Sequence, residues 1–472
     1  MRTPTFADSA PGDTAAGPAL LLRSGPGHPP VLSGDFDRDR SAVTAHLESA
    51  VRSVDAMPPR TERTAAEQRV AAALHDAADT LRRRFLASYA DRIYAELTDG
   101  LTRSPRLEEL TESAAAYFPG LVPTRDRLEA EARHSQRTKE GWEVAVGLFF
   151  QAVLNAPTAG NHLLRSMLRP TARARAALLD YQLTGHADLG IATVTRQDGI
   201  AQLELRNTEF LNAEDDAATE ALETGTDLVL LDPASHVGVL RGAPQTHPAY
   251  AGRRVFSAGI NLTHLYNGDI SLLGFLLRRE AGYIAKFVRG LCLDDSAGEG
   301  WWPDADKPWV AAVDAFAIGG GMQILPTMDR VVAADDSWFS LPAMEEGLVP
   351  GVANMRLLHL TGSRLSRRLI FWGRKLRATD PEASLFVDET VPADAMDGAV
   401  RAAAGHLDQP AVGANRRMLN LVEEPIDLFR RYLAQYAYEQ ARQLHSPGLI
   451  TTLENTWVNR SRGASGATAS QG

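Results

Sequence analysis

Two glycine-centred segments offer the chemistry in this sequence. In Arg253-Arg254-Val255-Phe256-Ser257-Ala258-Gly259-Ile260-Asn261-Leu262, apolar strand formers run into Ser-Ala-Gly, where small side chains let another group approach the main chain. In Ala315-Phe316-Ala317-Ile318-Gly319-Gly320-Gly321-Met322-Gln323, three glycines lie between an apolar run and a helical one. That placement leaves backbone N–H groups unpaired, with the positive end of a helix dipole behind them. Together the segments could aim two N–H donors at one oxygen and form an oxyanion hole. Taken singly, each pattern is commoner as tight packing than as a catalytic feature; their order and separation give the pair its weight.

The elements that must position these segments follow from length, composition and periodicity. The chain has 472 residues, with 49 Lys+Arg against 59 Asp+Glu and a net charge of -10. That length allows roughly two to four domains. The apolar share of 44% and charged share of 23% exclude global disorder. The acidic balance argues against a nucleic-acid binder, because phosphates reward a basic face. One cysteine, Cys292, forbids an internal disulfide or a multi-cysteine metal site, and its apolar neighbours mark it as a buried small hydrophobe. Ala19-Leu20-Leu21-Leu22 is too short for a signal h-region, and Val144 to Leu154 falls below the roughly 18 residues of a membrane span. These features predict a cytoplasmic protein.

Residues 1–35, rich in Pro, Gly, Ala and Thr, read as a flexible arm. A helical N-terminal domain is expected over 36–189, with helical runs in Thr64–Leu97, Leu107–Tyr117, Arg125–Leu154 and Ala159–Leu183 and no strand signal. Near Gly190 the period changes. Ile191–Thr195, Asp198-Gly199 and Ile200–Leu205 form a hairpin pattern, Asp-Gly supplying the positive-φ turn. Apolar runs at Leu228–Leu231, Val237–Leu240, Trp309–Val313 and Arg330–Ala334 read as strands. They alternate with helical segments such as Ala217–Glu223 and Ile270–Leu291, which implies an α/β core over 190–391. A C-terminal helical segment over 392–460 holds a clear helix at Pro425–Leu444, and 461–472 read as a disordered tail.

Four motifs now occur in one order: Phe256-Ser257-Ala258-Gly259-Ile260-Asn261-Leu262, Ile318-Gly319-Gly320-Gly321-Met322, Asp335–Pro342, and Glu346-Gly347-Leu348-Val349-Pro350-Gly351. In this the chain resembles the enoyl-CoA hydratase/isomerase, or crotonase, superfamily. The resemblance implies a spiral of ββα turns, an acyl-CoA thioester substrate, and a homo-oligomer, a trimer or dimer of trimers. It makes the N–H groups of Ile260 and Gly320 the oxyanion donors. Hydratases of the superfamily carry glutamates at the positions of Gln323 and Ala343; neither residue present here can move a proton. Met344-Glu345-Glu346 offers carboxylates nearby. On the expected helix they point elsewhere, and Glu346 reads as a surface or structural residue.

Such a core behind a long helical domain, with Gly-Gly-Gly-Met-Gln in place of the usual glutamate, resembles one subgroup: cofactor-independent dioxygenases acting on 3,5-dihydroxyphenylacetyl-CoA in vancomycin-type glycopeptide biosynthesis. The resemblance implies oxidation by O2 to 3,5-dihydroxyphenylglyoxylate with loss of CoA, and neither metal nor organic cofactor. Glu214 follows Arg206–Ala213, the segment that abuts the acyl pocket in crotonases, so its carboxylate suits ring hydroxyls; it reads equally as an acid at a helix N-terminus. Arg279, rather than Arg278, is expected to face the substrate, with Gln323 orienting the enolate or peroxide. His247, Tyr250 and Arg254 are expected near the CoA, Arg254 at its phosphates, though a His-Pro pair such as His247-Pro248 is commoner as plain loop. Ser257, Ala258, Gly259, Asn261 and Leu262 are expected along the substrate strap.

The chemistry stands on its own terms. The α-carbon of an arylacetyl thioester lies between a carbonyl and a ring, so its proton is acidic and a hole would stabilise the enolate. That electron-rich enolate can reduce O2 directly. No His-x-His, His-Glu-x-x-His or dinucleotide glycine fingerprint occurs. Two other readings remain open from the residues: another acyl-CoA isomerase or thioesterase on the same fold, and a crotonase-like scaffold without catalysis.

Overall fold

The computed structural model describes residues 27–293 and 303–455. The tail expected over 461–472 and most of the arm expected over 1–35 lie outside them.

Among the described residues, ten strands build two sheets. They are β1 (His186–Asp188), β2 (Ala192–Gln197), β3 (Ile200–Leu205), β4 (Val237–Gly242), β5 (Trp309–Val313), β6 (Phe316–Ile318), β7 (Arg330–Ala334), β8 (Trp338–Ser340), β9 (Leu376–Arg377) and β10 (Glu389–Val391). The larger sheet runs β1-β2-β3-β4-β5-β7-β10, antiparallel through β3 and parallel from there on. The smaller runs β6-β8-β9. Gln197 pairs with Ile200 across a two-residue turn in which Asp198 and Gly199 take φ of 51° and 80°, the mirror turn expected of Asp-Gly. β4 and β5 are buried along their whole length because helices cover both faces of a parallel sheet.

Four local expectations change. Leu228–Leu231 is not a strand; it ends the helix Asp216–Leu231, which is buried on nearly every side, so its apolar run carries no helical period. The run Arg125–Leu154 is interrupted between Arg125–Ala132 and Glu143–Asn155, where the Glu131 carboxylate caps the N–H groups of Gly141 (2.6 Å) and Trp142 (3.2 Å). Ala159–Leu183 divides into Pro157–Met167 and Ala172–Thr184 around Pro170. Ile270–Leu291 is a π-turn, Leu272–Leu277, followed by two short helices, Arg278–Ala281 and Tyr283–Arg289.

The helices before β1 share one apolar core with the chain's far end. Phe85, Phe149, Phe150, Phe275, Phe429 and Leu433 belong to a single buried cluster. The helix Glu143–Asn155 meets Ile426–Leu444 so closely that a β-carbon on Gly147 would lie 2.5 Å from the Ala441 β-carbon. A second cluster, with Tyr283, Phe287, Trp309, Met322 and Phe339, fills the space around the sheets. The two glycine segments contribute to both, Ile260 to the first and Phe256, Ala317 and Met322 to the second.

Candidate active site

The two glycine segments are strapped side by side. Ile318 N–H donates to the Ser257 carbonyl (3.0 Å), in a parallel bridge between Ser257 and Ala317. On its other flank the first segment bridges Glu214: Glu214 N–H donates to the Gly259 carbonyl (2.7 Å) and Asn261 N–H to the Glu214 carbonyl (2.8 Å). Leu211 and Asn212 both adopt left-handed backbone, with φ of 51° and 58°. The Asn212 side-chain amide ties that kink to the Val255 carbonyl (2.7 Å), which delivers Glu214 behind the strap.

The strap leaves two donors open. Among the described residues, neither Ile260 N–H nor Gly320 N–H has an acceptor in the protein. Gly320 opens the helix Gly320–Ile324, so its N–H has no partner within that helix. Gly259 takes φ of +87°, and a β-carbon there would lie 3.1 Å from Gly320 N. Glycine at this position keeps the approach between the donors clear.

Behind the donors lies a buried polar cluster. Arg279 gives Nε to Glu214 Oε2 (2.8 Å), Nη1 to Glu280 Oε1 (2.7 Å) and Gln323 Oε1 (3.1 Å), and Nη2 to the Gly320 carbonyl (2.6 Å). Tyr283 hydroxyl donates to Glu214 Oε2 (2.6 Å) and Ser257 hydroxyl to Glu214 Oε1 (3.1 Å). Burial alone would lower the Arg279 pKa, but Glu214, Tyr283 and Glu280 outweigh it and hold the guanidinium well above its ordinary value. The π-turn decides which arginine enters: Leu276 N–H reaches back five residues to the Ser271 carbonyl (3.2 Å), and the widened turn points Arg279 inward. Arg278 turns the other way, to Glu223 (2.7 Å).

A cavity of about 30 Å³ opens beside the donors, lined by Ile260, Gly320, Arg279, Gln323, Glu346 and Tyr436 among others, with Phe275, Leu276, Leu341, Leu348 and Val349 as its apolar wall. Glu346 corrects the expectation of a surface or structural residue. Its helix, Ala343–Glu346, is a single turn stopped by Gly347 at φ 72°. That turn exposes Met344 and Glu345 and folds Glu346 toward the cavity. Burial, with Glu345 adding to it, pushes the Glu346 carboxyl up to about 8.

The other expected contacts are distributed. Ser257 and Asn261 are buried in the frame, and the Asn261 side chain caps the helix Leu262–Asn267. Ala258 and Leu262 are half-buried. His247 is exposed, and Tyr250 packs edge-on against Phe316 (5.2 Å). Arg254 is engaged by Glu204 and the Gly242 carbonyl, so a phosphate would have to share it. Tyr283, Glu280, Tyr436 and Gln440 carry no signal in the sequence that marks them for the site. Tyr436 and Gln440 come from the distant helix Ile426–Leu444 and carry no motif.

Two open backbone N–H groups on Gly-rich turns, set beside a mixed sheet wrapped by helices, make a candidate site of the crotonase type. The chain belongs to the enoyl-CoA hydratase/isomerase superfamily. Residues 301–446 match the enoyl-CoA hydratase/isomerase family model. A (3,5-dihydroxyphenyl)acetyl-CoA 1,2-dioxygenase from Amycolatopsis orientalis is 48% identical over 422 residues, 89% of this chain and 96% of that protein. A probable enoyl-CoA hydratase from Mycobacterium leprae (strain TN) is 25% identical over 56% of this chain and 87% of its own. Among solved structures, an enoyl-CoA hydratase from Mycobacterium avium subsp. paratuberculosis K-10 has 19% identity and a TM-score of 0.47, covering 57% of this chain and 99% of that one. No helix among the described residues is long and apolar enough to cross a membrane.

Proposed function

We infer that the protein is a dioxygenase that converts 3,5-dihydroxyphenylacetyl-CoA and O2 to 3,5-dihydroxyphenylglyoxylate and CoA. One observation carries the reading beside the relative's activity. Two free N–H donors face a cavity in which Gln323 and Ala343 stand where hydratases keep their proton-moving carboxylates. Water addition has lost its apparatus while enolate stabilisation has kept its own.

The thioester oxygen accepts from Ile260 and Gly320 N–H, which holds the charge formed when a Cα proton leaves. The enolate passes one electron to O2, and the resulting pair combines into a Cα–O bond. The terminal peroxide oxygen attacks the thioester carbon and expels CoA thiolate. Loss of the second Cα proton to water with O–O cleavage then gives the ketone and the carboxylate. Cα is oxidised, both O2 atoms stay in the product, and the electrons come from the substrate, so the sequence needs no metal or organic cofactor. The apolar wall gives O2 a dry place beside the enolate. Gln323, its oxygen held by Arg279, keeps an N–H for the peroxide. The Glu214–Arg279 pair meets a ring hydroxyl. His247, Tyr250 and Arg254 serve the CoA phosphates, and Ser257, Ala258, Gly259, Asn261 and Leu262 shape the strap along which the acyl arm lies.

We also assign residues 36–189, apart from the edge strand β1, and the described part of 392–460 as helical attachments to a core at 190–391, and a homo-oligomer as the working form. Met418, Leu419, Leu421 and Val422 on Pro410–Glu423, with Phe371 and Trp372, expose more apolar side chain than a monomer's surface favours. The decisive test is oxygen uptake. Metal-stripped protein given 3,5-dihydroxyphenylacetyl-CoA should consume O2 and release CoA together; equal CoA release without O2 would make it a thioesterase.

A further inference from the structure

Forming the enolate requires a base, and neither Gln323 nor Ala343 can serve as one. The polar side chains lining the cavity are Arg279, Gln323, Glu346, Tyr436 and Gln440. Arg279 carries no lone pair to offer, being held charged by Glu214 and Glu280. Gln323 and Gln440 do not titrate. Burial pushes the Tyr436 phenol well above its ordinary value, which keeps it protonated. Only Glu346 is left.

Its surroundings fit that task. Among the described residues the Glu346 carboxylate has neither an ion-pair partner nor a side-chain hydrogen bond, unlike Glu214 and Glu280, which Arg279 occupies. It lies next to the hole: a β-carbon on Gly319, the residue before the Gly320 donor, would be 3.6 Å and 3.7 Å from its two oxygens. In a thioester the reacting methylene is two bonds from the oxygen that the hole binds, so both ends of the enolising unit fall within one small cavity.

We propose that Glu346 is the catalytic base of this site, its carboxylate taking the first Cα proton of the arylacetyl thioester as the C–H electron pair moves onto the oxygen held by Ile260 and Gly320. The proton is later surrendered to the departing CoA thiolate, so the carboxylate is regenerated in each turnover. The proposal rests on the arylacetyl-CoA reading above. The charged and titratable groups around the carboxyl are Arg279 on the helix after the π-turn, Tyr436 on Ile426–Leu444, and Glu345 on its own turn. A carboxyl raised to about 8 is mostly protonated below that pH, so the base form grows as pH rises through it.

Anaerobic exchange of the Cα protons isolates this step from O2 chemistry. In D2O the wild-type protein should wash deuterium into 3,5-dihydroxyphenylacetyl-CoA, with a rate that climbs with pH through about 8. Glu346→Gln, a neutral near-isostere, should slow exchange and O2 uptake by about 100-fold or more, flatten the pH limb, and leave binding of an unreactive thioether analogue within about threefold. Exchange by Glu346→Gln within threefold of wild type would overturn the proposal. Should Glu346→Gln fail to fold, folded Glu346→Ala must regain exchange with added formate; no rescue would likewise overturn it. If the wild type itself neither exchanges nor oxidises the thioester, the dioxygenase reading falls and this inference with it.

Discussion

At the scale of single residues the proposed reaction works through two uncharged N–H groups and one crowded carboxylate. Glu214 accepts from Arg279, Tyr283 and Ser257 at once, so it holds the guanidinium at the back of the hole as well as any ring hydroxyl. Glu214→Gln would leave Arg279 with Glu280 alone as a carboxylate partner, and kcat/KM should fall by about tenfold or more with ring selectivity relaxed. Turnover of the dihydroxyphenyl thioester against an unsubstituted phenylacetyl-CoA measures both; unchanged values would remove Glu214 from ring recognition. Gly259→Ala should lower kcat by about 100- to 1000-fold in a protein whose circular dichroism is intact, because the new methyl stands at the mouth of the donor pair. Near-normal kcat would mean that the oxygen binds elsewhere. The donors themselves were legible, since adjacent glycines announce exposed backbone. Tyr283 was not, because a tyrosine in an apolar run looks the same whether it meets a carboxylate, a cavity or water, and Glu346 was placed at the surface because one turn of helix carries too little period to show where it faces.

Elements act as levers on those residues. The π-turn at Leu272–Leu277 settles the choice between Arg278 and Arg279, which no helical period could have made. Arg278 then joins Arg106 and Lys286 around the fully buried Glu223. Arg106 precedes the helix Leu107–Tyr117, so this cluster ties the N-terminal helices to Asp216–Leu231. Burial alone would raise the Glu223 carboxyl; Lys286, Arg106 and Arg278 outweigh it and hold it well below its ordinary 4.5. A depressed carboxylate stabilises the fold above its unfolded value and loses that contribution as pH falls below it. Arg106→Ala should therefore cost about 1–3 kcal/mol at neutral pH by urea denaturation. It should also flatten the stability loss seen on acidification below 4.5. An unchanged midpoint at neutral pH would show that Lys286 and Arg278 suffice.

For the whole molecule, the helices at the two ends of the chain close one core and deliver Tyr436 and Gln440 to the cavity. The exposed apolar side chains on Pro410–Glu423 are the contact that the proposed oligomer would use. Leu421→Asp combined with Val422→Asp should shift the mass measured by light scattering toward the monomer, and an unaltered mass would place the contact on another face. The expected three-part division suited the periods along the chain. The shared core was invisible there, because residues such as Phe149 and Phe429 carry no mark of being partners.

The sequence by itself determined the hairpin, the alternating core and the glycine turns that leave backbone N–H groups open. These rest on local rules: a positive-φ turn, a period of two, and glycines that leave N–H groups open. Only the tertiary structure decided which arginine faces inward, that Leu228–Leu231 is helical, and that Glu346 stands half-buried on the wall of the cavity. Each of these depends on what lies across a gap from residues far away in the chain. Burial and desolvation are properties of that enclosure, and they turn an ordinary glutamate into a group with chemistry to perform.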